Sequence, residues 1–145
     1  MSTLYFMEHP RTTDRYDCAY MDMAERWGCL SHAHRKLVGA LIVKDKQIIS
    51  DGYNGAPEGF PNACEDKEGK TLRHVLHAES NAIAKVARST QSCEGATLYV
   101  TLSPCFECAK LIHQAGIKRV VYREAYSDLS GVKFLHECGV TVNSL

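Results

Sequence analysis

Two short stretches of this sequence carry residue types that chemistry can use. His77-Ala78-Glu79 and Pro104-Cys105-Phe106-Glu107-Cys108 each stand at the start of an expected helix, with one expected strand between them. Cys105 and Cys108 are three residues apart, so on a helix they share a face. Both fall in a first helical turn, where unpaired N–H groups and the positive dipole end favour thiolate. Thiolate sulfur and neutral imidazole are ligands that zinc prefers, and His77 supplies the imidazole. Three protein ligands leave the fourth tetrahedral position to water, the pattern of a catalytic rather than a structural zinc. Zinc brings the ionisation of such a water close to neutral pH. Glu79, two residues beyond His77, can touch the water without binding the metal and so shuttle its protons.

Simpler readings exist for each fragment alone. A lone Cys-x-x-Cys is often a redox pair or half of a structural zinc site. A redox pair leaves His77-Ala78-Glu79 idle. A structural site needs a fourth ligand, and Cys93 and His113 are the only nearby candidates along the chain. Together the fragments form the H-x-E…P-C-x-x-C pattern, whose specificity is high.

These residues need a scaffold, and its elements can be read from periodicity. Tyr20, Met23, Ala24 and Trp27 recur at helical intervals, predicting a helix over 16–32 with Asp14 as its N-cap. The apolar run 37–43, the polar turn 44–47 and the run 48–53 predict a β-hairpin. The polar stretch 54–73, punctuated by Gly55, Pro57 and Gly59, is long for a structureless segment, a mark of functional loops. Next come a helix over 77–90, a strand over 97–102 and a helix over 104–115 opened by Pro104 and closed by Gly116. A strand over 119–122, a helix over 130–138 and a strand over 140–142 complete the chain. The alternation in the second half predicts parallel strands with helices on the sheet faces. Residues 1–15 read as a flexible lead-in, and 16–145 as a single domain.

Composition narrows the function classes. The chain has 145 residues, enough for one core, with 45% apolar and 23% charged residues, which excludes disorder and fibrous classes. Lys+Arg and Asp+Glu are both 17, so there is no basic excess for nucleic-acid phosphates, and no nucleic-acid partner is expected. No apolar run approaches the roughly 18 residues of a membrane span. The N-terminus lacks a secretory pattern, and seven cysteines, an odd count, read as reduced thiols of a cytoplasmic protein. Cys18, Cys29, Cys93 and Cys138 read as thiols without a role, and Lys85 and Lys110 as solvating charges.

With these residues in view, the sequence resembles the cytidine and deoxycytidylate deaminase superfamily, and its deoxycytidylate (dCMP) branch above all. The resemblance runs from about Tyr20 to the C-terminus. It rests on Val38-Gly39-Ala40, Gly52-Tyr53-Asn54-Gly55, His77-Ala78-Glu79-Ser80-Asn81-Ala82-Ile83, Leu98-Tyr99-Val100-Thr101, Pro104-Cys105-Phe106-Glu107-Cys108-Ala109-Lys110 and Ala115-Gly116-Ile117. It implies a three-layer α/β/α sandwich: a five-stranded mixed sheet, hairpin then βαβαβ, with an N-terminal helix. It implies zinc on His77, Cys105 and Cys108, Glu79 as the acid–base, and Asn54 at the substrate sugar. The reaction implied is hydrolysis of dCMP to dUMP and ammonia, which supplies the thymidylate precursor. Similar enzymes are homo-oligomers, hexamers or dimers, and some answer to dCTP and dTTP.

A nucleotide also needs a partner for its phosphate. Arg88 lies nine residues beyond Glu79, where similar enzymes carry Arg, and either binds phosphate or is a solvated surface arginine. Tyr126 falls where related enzymes place a substrate-facing tyrosine, or packs as a loop aromatic. His32, His34, Cys64 and His74 flank the long loop, and some relatives draw a second zinc from matching segments. Ala33 stands where relatives have Cys, however, and loop histidines are usually solvated. The rival readings are a tRNA adenosine deaminase, a DNA-uptake-operon deaminase-like protein and a non-enzymatic structural zinc module. Neutral charge, the Gly-Tyr-Asn-Gly loop and Glu107 stand against the first.

Overall fold

The computed structural model describes residues 12–145, with side chains from residue 15 onward. Helix α1 (Thr12–Gly28) is followed by strands β1 (Gly39–Lys44) and β2 (Gln47–Tyr53), helix α2 (Ala78–Ala87) and strand β3 (Thr97–Leu102). Helix α3 (Phe106–Gln114), strand β4 (Arg119–Glu124), helix α4 (Ser130–Glu137) and strand β5 (Thr141–Ser144) follow. The strands form one sheet in the order β2-β1-β3-β4-β5. β1 pairs antiparallel with β2 and β3, whereas β3, β4 and β5 run parallel. Asp45 and Lys46 close the hairpin with φ of 51° and 62°, the left-handed pair that matches strand twist.

β1 and the middles of β3 and β4 are buried on both faces, and the alternation of their side chains sorts the helices into layers. Leu41, Val43, Tyr99 and Val121 face α1 and pack on Met21 and Ala24. Ile42, Leu98, Val100 and Val120 face the other way, onto Ala82 and Val86 of α2, Ile112 of α3 and Leu135 of α4. α3 and α4 each cross between parallel strands, so a common handedness places them on one face, beside α2. The expected three-layer sandwich with its mixed five-stranded sheet and N-terminal helix is thus the observed architecture. A buried polar cluster joins α1 to the sheet: Tyr99 donates to Asp17 Oδ1 at 2.6 Å, and Arg119 donates to both Asp17 oxygens at 3.0 and 2.8 Å. Burial alone would push the Asp17 carboxyl up, but the bonds from Arg119 and Tyr99 outweigh it and hold the group below its ordinary value.

Several boundaries differ from the expected ones. α1 begins at Thr12 and ends at Gly28, so residue 15 lies inside the helix and Asp14 is not its cap. The opening turn has no apolar periodicity to reveal it. The rest of the expected lead-in, residues 1–11, lies outside the described residues. Pro104 does not open α3: Pro104 and Cys105 precede it, and Cys105 is the N-cap. β4 runs on to Glu124. The long loop is pinned by two bridges, Gly55 to Leu76 and Glu65 to Thr71.

Candidate metal centre and its cavity

β2 sets the position of the first fragment. Asn81 Nδ2 donates to the Tyr53 carbonyl at 2.8 Å, and the buried Ser50 hydroxyl donates to the Ala82 carbonyl at 2.7 Å. Both bonds clamp α2 against the strand. Gly52 permits that approach, because a Cβ there would lie 2.5 Å from the Ala78 carbonyl oxygen. His77 is therefore fixed as the extended N-cap residue of α2, with φ −74° and ψ 158°. β3 delivers the second fragment: after Leu102 the chain turns through Ser103 and Pro104, and Cys105 Sγ accepts the Cys108 N–H at 3.5 Å.

The two helix starts meet. His77 Nδ1 lies 3.6 Å from Cys105 Sγ and 3.3 Å from Cys108 Sγ. Zinc bonds of about 2.3 Å to sulfur and 2.0–2.1 Å to nitrogen, opened at the tetrahedral angle, span about 3.5 Å between N and S. The donors thus already stand at the separation a zinc ion requires, and their chemistry suits it. Among the described residues these three form the only group of three or more His, Cys, Asp or Glu able to hold a metal. Cys93 is buried in the apolar core and His113 packs edge-on to Phe134, so neither supplies a fourth ligand. That leaves a coordination position for a small molecule and argues against a structural module.

The electrostatics fit a cation. The hydrogen bond from Cys108, then that from His77, brings the Cys105 thiol down to about 4, while the same bond and burial push Cys108 well up. The two thiols thus share one proton, which a divalent cation would displace. His77 is raised, chiefly by its bond with Cys105. Glu79 is almost fully buried, which raises its carboxyl to about 7, against the partial offset of a nearby His77 charge.

His77, Glu79 and Cys105 border a cavity of about 600 Å³, the size of a small-molecule site. Asn54 and Tyr126, both singled out in the sequence, line it. Asn54 also braces the backbone beside the cavity, where its Oδ1 accepts the Val38 N–H at 2.9 Å and its Nδ2 donates to the Lys36 carbonyl at 2.8 Å. Arg88 is not brought to the cavity. It caps the far end of α2, about 16 Å of helix from His77, and pairs at the exposed surface with Glu58 at 3.2 Å. His32, His34, Cys64 and His74 do not assemble either. Cys64 is buried with its thiol toward the Asn62 carbonyl, and the His74 ring packs on Phe60.

Ser103, Arg35, Lys36 and Glu124 are among the cavity residues that the sequence did not single out. The buried Ser103 hydroxyl accepts the Tyr126 N–H at 2.7 Å and so ties one wall of the cavity to the cysteine turn. The basic run His34-Arg35-Lys36 was the available signal for two of the others.

Comparison with known proteins agrees with this geometry. The cytidine and deoxycytidylate deaminase zinc-binding region matches residues 14–124. The chain is 41% identical to the deoxycytidylate deaminase of Enterobacteria phage T4, in an alignment covering 61% of this chain and 67% of that protein. A crystal structure of dCMP deaminase from cyanophage S-TIM5, in complex with dCMP and dUMP, superimposes with a TM-score of 0.88 at 42% identity. That match covers 94% of this chain and 100% of the other. ComE operon protein 2 of Bacillus subtilis is 42% identical over 77% of this chain, which spans 61% of that protein.

Proposed function

Since the chain belongs to the cytidine and deoxycytidylate deaminase family, and carries that family's zinc-binding region, we propose that it hydrolyses dCMP to dUMP and ammonia. The observation that carries this reading is the meeting of two thiols and an imidazole at zinc-binding separations beside a buried carboxylate, on the border of one cavity. In this proposal His77 Nδ1, Cys105 Sγ and Cys108 Sγ hold zinc. Zinc supplies Lewis acidity, making water a nucleophile at neutral pH.

This chain's residues do the rest. Glu79 takes a proton from the attacking water and delivers it to the pyrimidine ring nitrogen N3 as oxygen adds at C4. Glu79 then takes the proton of the new C4 hydroxyl and delivers it to the amino group on the tetrahedral C4, and ammonia leaves as the carbonyl forms. A carboxyl with a pKa near 7 can accept and release protons at neutral pH, which supports this use of Glu79. Asn54 faces the sugar, with one amide hydrogen and one oxygen lone pair beyond those its backbone bonds use. Tyr126 stands at the cavity wall.

The same proposal takes 16–145 as one catalytic domain in a cytoplasmic homo-oligomer, with dCTP and dTTP as effectors. Among the described residues no helix is long and apolar enough to cross a membrane. The test is ammonia release from dCMP, dCTP, CMP and deoxycytidine in parallel. The expected result is a clear preference for dCMP; equal turnover of deoxycytidine, or none of the four, contradicts it.

A further inference from the structure

Resting on the reading that Asn54 faces the sugar, we propose that Ser31, just beyond the end of α1, is a positioning residue that orients the Asn54 amide toward the sugar hydroxyl. Ser31 is half-buried and does not border the cavity, so it acts through Asn54 and not on a ligand.

Both backbone groups of Asn54 are bonded. Its N–H donates to the Val38 carbonyl at 3.3 Å, and its carbonyl accepts the Ser31 hydroxyl at 2.6 Å. Its side chain spans the backbone of Val38 and Lys36. Among the described residues, Ser31 supplies the one side chain bonded to Asn54, and the other partners are main-chain groups. A hydroxyl has a single hydrogen to give. The Ser31 oxygen accepts the Ala33 N–H at 3.1 Å, which leaves that hydrogen to the Asn54 carbonyl.

The peptide unit joining Asn54 to Gly55 is gripped from both sides. Ser31 holds its oxygen, and the Leu76 carbonyl holds its N–H at 3.0 Å. The Leu76 N–H returns a bond to the Gly55 carbonyl at 2.9 Å, and the next residue is the metal donor His77. Gly55 has no Cβ to restrict this peptide, so hydrogen bonds must fix it. Ser31 is itself anchored, because its N–H donates to the Gly28 carbonyl at the end of α1 at 3.0 Å. One line of bonds therefore runs from α1 through Ser31 and Asn54 to the segment that carries His77. Without the Ser31 hydroxyl the peptide plane can turn about its bond to Leu76, and the Asn54 side chain shifts with it. The deoxyribose of dUMP has one free hydroxyl, at C3′. Asn54 has one amide hydrogen and one oxygen lone pair left for it. Such bonds weaken steeply when misaligned.

Calorimetric titration of the zinc-loaded protein with dUMP and with its 3′-deoxy analogue isolates the contribution of that hydroxyl. Wild type should prefer dUMP by about three- to thirtyfold, the worth of one or two neutral hydrogen bonds. Asn54→Ala should abolish the preference. Ser31→Ala should cut it about two- to fivefold, while affinity for the analogue and zinc content stay near their wild-type values. Ser31→Thr, which keeps the hydroxyl, should keep the preference. A Ser31 that merely supports the fold would weaken both compounds alike and leave the preference unchanged, and that result overturns the inference. So does a loss in Ser31→Thr as large as in Ser31→Ala, or equal binding of the two compounds by wild type. Ammonia release from dCMP by wild type, measured in parallel, separates the two proposals. Turnover with a preference indifferent to Ser31 refutes the positioning role alone. A preference that depends on Ser31, without turnover, refutes the deaminase reading alone.

Discussion

Replacing Gly131 by Ala probes how tightly the cysteine turn is braced. Gly131 lies in the first turn of α4, and α4 leans on the segment that carries Cys105. A Cβ on Gly131 would lie 2.3 Å from the Pro104 carbonyl oxygen and 2.7 Å from both the Cys105 carbonyl carbon and oxygen. All three obstacles are backbone atoms, so no side chain can swing aside. Ordinary contact requires the helix and the turn to part by roughly 1 Å. Two effects oppose each other. Helix propensity favours Ala by at most about 1 kcal/mol, while overpacking costs about 1–3 kcal/mol, here toward the upper end. The net expectation is a loss of about 1–2 kcal/mol, read as a lower urea midpoint with an unchanged slope. Because the displaced turn positions Cys105 at 3.6 Å from His77, zinc affinity should also fall, by about tenfold. Competition against a chelator measures that fall. If Gly131→Ala is as stable as wild type or more so, with unchanged zinc affinity, propensity has won and the bracing argument is wrong.

Two other substitutions test separate parts of the account. Glu79→Gln keeps the shape of the side chain and removes its proton transfers, so turnover should drop by about 10²–10⁴-fold or more while zinc content, read by atomic absorption, stays at the wild-type level. Asp17 titrates below its ordinary value in the folded protein, so between the two values the unfolded chain binds more protons and stability rises with pH. Its contribution is full above about pH 4 and is lost as pH falls through the depressed folded value. Asp17→Asn should therefore flatten the acid limb of the stability–pH curve and lower stability near neutrality by about 1–3 kcal/mol. An acid limb as steep as wild type would show that Asp17 does not carry this linkage.

What the sequence disclosed and what it withheld follow from the range of each interaction. The metal donors were legible because each pair of chemical residues is local: His77 with Glu79, and Cys105 with Cys108, are set by helix geometry. The hairpin and parallel units were legible because their apolar runs are bounded by turn residues. The start of α1 was not, because its opening turn is polar on every side. Nor was the role of the substrate loops, because the cavity wall is made by segments around residues 35, 54, 65, 103 and 126. Their juxtaposition depends on bonds such as Ser103 to Tyr126 and Glu65 to His34, which span 23 and 31 residues. Arg88 illustrates the converse. A helical offset from Glu79 says how far along α2 a residue lies, not that the cavity extends there.

The central claim is that metal held by His77, Cys105 and Cys108 drives deamination of dCMP. Its most direct test follows zinc content and ammonia release together as the protein is stripped by chelator and then titrated with zinc. The account predicts activity that vanishes with the metal and returns in proportion to zinc, reaching full rate at one zinc per chain. It also predicts that Cys105→Ala neither retains zinc at this site nor recovers activity. Undiminished dCMP turnover in the metal-free protein, or full activity in Cys105→Ala, would contradict it.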